Sequence, residues 1–189
     1  MEQTESIAFV GDSITHHGDW VAWFPDREVH NFGVDGDTTD DLIARVGEVV
    51  DAHPESIALL IGTNDLGRRL SVEHLVRNVE FLLVTLRREL PGTRMLLQSI
   101  LPRGREFAEQ LGDANRHLRQ FSSSVNAQYL DLWPAFAQED GEIKPEYSDD
   151  RLHLNDAGYQ AWLAELRPAL ERLEDAPPMS RPIQAIRRP

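Results

Sequence analysis

Ile7-Ala8-Phe9-Val10-Gly11-Asp12-Ser13-Ile14-Thr15 is the stretch whose reading decides the fold, because an apolar run stops abruptly at a glycine, an acid and a serine. A short apolar run bounded by turn residues reads as a strand buried on both faces, and open α/β sheets collect their ligands just beyond the carboxyl ends of such strands. Ser13 is therefore expected where a parallel strand gives way to a loop or helix. There it serves either as a reactive hydroxyl or as a turn or helix-capping residue.

The pattern repeats outward from this stretch. Strands are expected at 6–10, 28–32, 56–61, 94–100 and 129–132, with four helical periods set among them. From Thr38, the spacing of Leu42, Ile43, Val46, Val49 and Val50 makes one apolar stripe, and Thr38-x-x-Asp41 reads as a capping box. From Ser71, a longer stripe includes Leu75, Val79, Leu82, Leu83, Leu86 and Leu90 and is closed by Arg87, Arg88 and Pro91-Gly92. A third helix is expected over about 106–125. A fourth starts at Asn155, with a kink at Pro168. Alternation of strands and helices implies a parallel sheet covered on both faces, a three-layer α/β/α sandwich of the α/β class.

Composition narrows the function. At 189 residues the chain is long enough for one domain with a full core and no disulfides, and it has no cysteine. No apolar signal-like run follows Met1, so the expected location is the cytoplasm. Lys and Arg number 19 against 32 Asp and Glu, a net charge of −13, which repels phosphate backbones and anionic lipid. Neither nucleic acid nor a membrane is an expected partner. The domain is expected over 1–175, with 176–189 an extended Pro- and Arg-containing tail that could dock on the domain or on a second subunit as a homodimer contact.

A reactive serine needs a base, a group that holds the base, and donors for the developing oxyanion. Near the other end of the chain Asp150 and His153 stand three residues apart, a spacing that can set a carboxylate against one imidazole nitrogen and leave the other free for Ser13. Asp149 is the rival carboxylate. Asn31-Phe32-Gly33 and Gly62-Thr63-Asn64-Asp65 also follow apolar runs, so both fall on the same rim as Ser13.

With these four motifs in this order, the chain resembles the SGNH (GDSL-type) esterases and acylhydrolases from residue 7 to about residue 173. Through Gly36-Asp37-Thr38-Thr39 and Leu101-Pro102-Arg103-Gly104 it is most similar to the intracellular platelet-activating-factor acetylhydrolase catalytic subunits, and almost as near to bacterial carbohydrate O-acetylesterases. The resemblance implies a five-stranded parallel sheet of flavodoxin-like order and a serine esterase that cleaves small acyl, notably acetyl, esters without a cofactor. Ser13 would be the nucleophile, His153 the base and Asp150 its orienting carboxylate. The oxyanion donors would be the Ser13 and Gly33 backbone N–H groups and the Asn64 side chain.

Other readings stay open beside this one. A lysophospholipase or thioesterase would use the same residues. A non-catalytic ligand-binding module on the same kind of sheet is disfavoured by the absence of Gly-x-x-x-x-Gly-Lys and Gly-x-Gly-x-x-Gly. Asp12, Trp20, Asp65 and Arg103 are candidate substrate contacts, although aromatics near a strand are more often core. His16 and His17 invite a metal reading with Asp149, but adjacent histidines usually diverge, and no metal is expected.

Overall fold

A computed structural model describes residues 5–175, so the expected tail at 176–189 lies outside the described residues. Five strands, β1 (Ser6–Gly11), β2 (Glu28–Gly33), β3 (Ser56–Leu60), β4 (Arg94–Gln98) and β5 (Ala127–Leu130), pair in parallel in the order β2-β1-β3-β4-β5. That is the flavodoxin-like order expected above. The helices in chain order are α1 (Ser13–His16), α2 (Trp20–Trp23), α3 (Thr39–Ala52), α4 (Thr63–Gly67), α5 (Val72–Glu89), α6 (Ala108–Ser122), α7 (Trp133–Phe136) and α8 (Asp156–Asp175).

Strand alternation divides the core into two layers, because successive side chains point to opposite faces. Ala8, Val10, Ile57, Leu59, Met95 and Leu97 face the stripes of α3, α5 and α6, including Leu42, Val49, Leu75, Leu82 and Leu111. Ile7, Phe9, Ala58, Leu60 and Leu96 face Trp20 of α2 and Trp162, Leu166 and Leu170 of α8. On that second face Phe9 stacks on Trp20 at 3.9 Å between centroids, and Trp162 meets Trp20 edge-on at 5.0 Å. The Trp162 indole N–H also donates to Gln98 Oε1 at 2.7 Å, so a polar atom is satisfied inside an apolar layer. No described helix is long and apolar enough to cross a membrane.

The capping signals are realised. Thr38 accepts from the Asp41 N–H while Asp41 accepts from the Thr38 N–H, closing the capping box of α3. Ser71 accepts from the His74 N–H and starts α5. Asn155 accepts from the Gly158 N–H at 3.0 Å and starts α8, which runs unbroken through Pro168.

Every strand differs from its expected range, β1, β2 and β3 by a single residue and β4 and β5 by two residues at a boundary. β4 ends at Gln98 rather than at residue 100, because the Asn115 side chain of α6 takes over both backbone groups of Ile100: its Oδ1 accepts from the Ile100 N–H at 2.8 Å and its Nδ2 donates to the Ile100 carbonyl at 2.9 Å. β5 begins at Ala127 and stops at Leu130, after which the Leu132 N–H turns to the Ser99 hydroxyl at 2.8 Å.

Candidate active site

Ser13 is the first residue of α1, immediately beyond β1, and is almost fully buried. Its position is fixed from several sides. The Asp12 carboxylate caps the helix by accepting from the Ile14 N–H at 3.0 Å. The Tyr159 hydroxyl of α8 donates to the Ile14 carbonyl at 2.8 Å, and the Trp20 indole N–H donates to the Thr15 carbonyl at 2.7 Å. Gly11 is required where it stands, since a Cβ there would lie 2.2 Å from the Leu60 carbonyl oxygen.

The second half of the constellation is built in the turn before α8. Asp150 Oδ2 lies 2.7 Å from His153 Nδ1, while Oδ1 accepts from the backbone N–H groups of Leu152 and His153 at 2.9 and 2.7 Å. A carboxylate facing Nδ1 makes that nitrogen the donor and leaves Nε2 as the basic atom. Burial pushes the Asp150 carboxyl up, but the hydrogen bonds from the His153 ring and from the His153 and Leu152 backbone outweigh it and hold the group down at about 2. Among the described residues the rival Asp149 makes no hydrogen bond to this ring and instead accepts from the Asn155 amide at 3.5 Å.

The His153 side chain is 48% exposed, at the mouth of the site rather than in its floor. Among the described residues it is not hydrogen-bonded to the Ser13 hydroxyl, and catalytic contacts of this kind commonly tighten only when substrate is present. The Tyr159–Ile14 bond nevertheless anchors α8, two residues' breadth beyond the His153 turn, onto the helix that carries Ser13. His153 also lies near enough to Asp12 to act on its ionisation.

Beyond the end of β3, the strand beside β1, α4 presents Asn64 on the same side of the sheet as Ser13. One Nδ2–H donates to the Asp37 carbonyl at 2.9 Å, which leaves the second N–H of the amide available. The loop that supplies this carbonyl is clamped by Arg45, whose Nε donates to Asp37 Oδ2 at 2.6 Å and whose Nη2 reaches the Gly11 and Phe32 carbonyls.

Gly33 is placed differently from the expectation. Its N–H already donates to the Asn31 side chain at 2.9 Å, and a Cβ here would sit 2.2 Å from the His16 backbone nitrogen. Its part in the fold is thus to let α1 pack against β2. Gly36, three residues on, has φ +78, and a Cβ there would meet Arg68 Nη2 at an ordinary contact distance of 3.8 Å. Its N–H donates to no backbone carbonyl among the described residues. The motif Gly36-Asp37 was visible in the sequence, but only the geometry separates the two glycines.

The candidate substrate contacts are mostly internal. Trp20 is 1% exposed with its N–H engaged, so it belongs to the core and walls no pocket. Asp65 is fully buried and accepts from the Thr39 N–H at 3.0 Å and from the Thr39 hydroxyl, joining α4 to α3; burial raises its carboxyl above the usual range. Asp12 is also fully buried, and its Oδ2 has no hydrogen-bond partner among the described residues. Arg103 donates to the Thr63 carbonyl at 3.1 Å and lies over the Phe107 ring at 4.1 Å, so it braces α4 instead of offering a free cation. His16 and His17 gather beside Asp35 and not beside Asp149. Arg45 carries no signal in the sequence, because an ordinary helix residue acquires this role only when the loop folds over it.

Residues 9–161 match the GDSL-like lipase/acylhydrolase family. The chain belongs to that family. As a GDSL-like acylhydrolase it is a carboxylic ester hydrolase. It is 27% identical over 183 residues to the platelet-activating factor acetylhydrolase IB subunit alpha1 of Bos taurus, covering 91% of this chain and 78% of the relative. A solved structure from Streptococcus pneumonia, provisionally described as a platelet activating factor, is 30% identical with a TM-score of 0.77, covering 88% of this chain and 84% of that one. Axe2, an acetylxylan esterase from Geobacillus stearothermophilus, shares the fold with a TM-score of 0.70 at 23% identity, over 86% of this chain and 94% of that one.

Proposed function

We propose that this GDSL-like acylhydrolase is a serine esterase for small acyl esters, acetyl esters above all, acting through an acyl-enzyme. Ser13 Oγ attacks the ester carbonyl carbon while its proton passes to His153 Nε2. The tetrahedral intermediate collapses, the carbonyl re-forms, and the His153 proton goes to the leaving alcohol. Water, deprotonated by His153, then attacks the acyl-Ser13 ester, and the acid departs with Ser13 reprotonated. Asp150 holds the ring in the tautomer this needs and stabilises the imidazolium.

The observation that carries this reading is the 2.7 Å Asp150–His153 pair, attached through α8 to the helix whose first residue is Ser13. For the oxyanion we assign the Ser13 N–H and the second Asn64 N–H, with the Gly36 N–H in the place expected of Gly33. A fixed amide beside a conformationally permissive glycine can approach an oxyanion without bringing a competing charge. The preference for acetyl rests on the names of the Bos taurus and Geobacillus relatives, both of which specify acetyl groups.

Hydrolysis of p-nitrophenyl acetate, butyrate and octanoate tests the proposal. The expected result is activity that falls with chain length and vanishes in Ser13→Ala. Octanoate hydrolysed as fast as acetate would favour a lysophospholipase or thioesterase, and undiminished activity in Ser13→Ala would remove Ser13 as nucleophile. Asn64→Ala is expected to lower turnover by about a hundredfold to a thousandfold, the usual loss for one oxyanion donor.

A further inference from the structure

His16 closes α1, His17 follows it, and Asp35 projects from the loop between β2 and α3. Adjacent histidines usually point apart. Here one donor atom from each of the three side chains lies within 4.8 Å of the other two, and all three residues are exposed. His17 Nε2 stands 3.1 Å from Asp35 Oδ1, and the two imidazoles are 5.0 Å apart and nearly perpendicular.

A second feature turns this cluster toward a cation. His16 Nδ1 lies 3.0 Å from the Gly33 carbonyl oxygen, and a carbonyl can only accept, so Nδ1 carries the proton and Nε2 keeps its lone pair. A ring nitrogen tied to a backbone carbonyl in this way is the arrangement that orients metal-binding histidines and raises their basicity. Two imidazoles and one carboxylate form a borderline donor set suited to Zn²⁺ and its neighbours among the divalent transition metals, with at least one position left for water. A chain of net charge −13 also favours accumulation of cations at its surface.

We propose that His16, His17 and Asp35 form a divalent-cation site of the Zn²⁺ class, distinct from the Ser13–His153–Asp150 constellation. A bound ion would contract the cluster to metal–ligand lengths of about 2 Å, a movement open to exposed side chains. It would cross-link the end of the nucleophile helix to the β2–α3 loop that carries Gly36 and Asp37, and so couple metal availability to the rigidity of the site.

Isothermal titration of the untagged full-length protein with Zn²⁺, and absorption spectra recorded during Co²⁺ addition, test the site. The expected result is one ion per chain, a visible d–d band for Co²⁺, and a melting temperature that rises with metal and then saturates. Asp35→Asn and His17→Gln should each weaken binding by about tenfold or more while leaving the metal-free melting temperature unchanged. His153→Ala should bind as the wild type does. Absence of binding in the wild type, equal binding in the Asp35 and His17 variants, or loss of binding in His153→Ala would each overturn the proposal, the last by moving the ion to the catalytic pair.

Discussion

At the scale of single residues, the site is a set of carboxylates sorted by their surroundings. Asp150 and Asp149 are neighbours in sequence, yet only Asp150 reaches the imidazole. Asp150→Asn is therefore expected to lower turnover by about 10⁴-fold, as loss of the correct tautomer does in serine hydrolases. Asp149→Asn should leave steady-state kinetics near wild type. Asp12 presents the opposite case: burial raises its carboxyl from 3.8 to about 7, against the Ile14 N–H and the nearby His153, and with Asp65 and Asp37 adding to the rise. A group whose folded value is raised favours folding fully below the unfolded value, and that contribution is lost as pH climbs to the folded one. Stability should thus fall between about pH 4 and about pH 7 on this account. Asp12→Asn keeps an N-cap and removes the ionisation, so urea denaturation should find it more stabilising at about pH 8 than at about pH 4.5. An equal effect at both values would show that the carboxyl titrates normally.

At the scale of elements, what could be read from the residues was set by length. α3 and α5 span enough turns to display a stripe, and Thr38, Asp41 and Ser71 mark their starts, so both were legible. α1, α2, α4 and α7 are single turns of four or five residues, too short for any period to appear. Trp20 stands open between substrate contact and core in the sequence, which does not reveal that the Thr15 carbonyl satisfies its N–H inside the core. For Gly33, the competing Asn31 acceptor and the close His16 backbone likewise exist only after folding. Two substitutions probe this level. Ser71→Ala removes the α5 cap and is expected to cost about 1 kcal/mol in chemical denaturation. Gly33→Ala forces a Cβ into the α1 backbone, so both melting temperature and turnover should drop, whereas Gly47→Ala, with open space around its Cα, should not lower stability.

At the scale of the molecule, the essential event is that a residue near the start of the chain and a pair near its end reach one rim. The parallel order β2-β1-β3-β4-β5 places Ser13, the Gly33–Thr39 loop and Asn64 beyond adjacent strand ends, and α8 returns across the sheet to complete the set. That much followed from the apolar runs and their punctuation, which is why the fold was more legible than the details of the site. Tyr159→Phe removes one hydrogen bond between α8 and α1 and should cost about 1 kcal/mol of stability. If the bond also sets the approach of His153 to Ser13, kcat should fall by more than KM changes. The most direct test of the whole account is peptide mapping after treatment with a fluorophosphonate, which labels an activated serine. The account predicts one label per chain on Ser13, and none in His153→Ala; a label on another residue, or an undiminished label on Ser13 without His153, would contradict it.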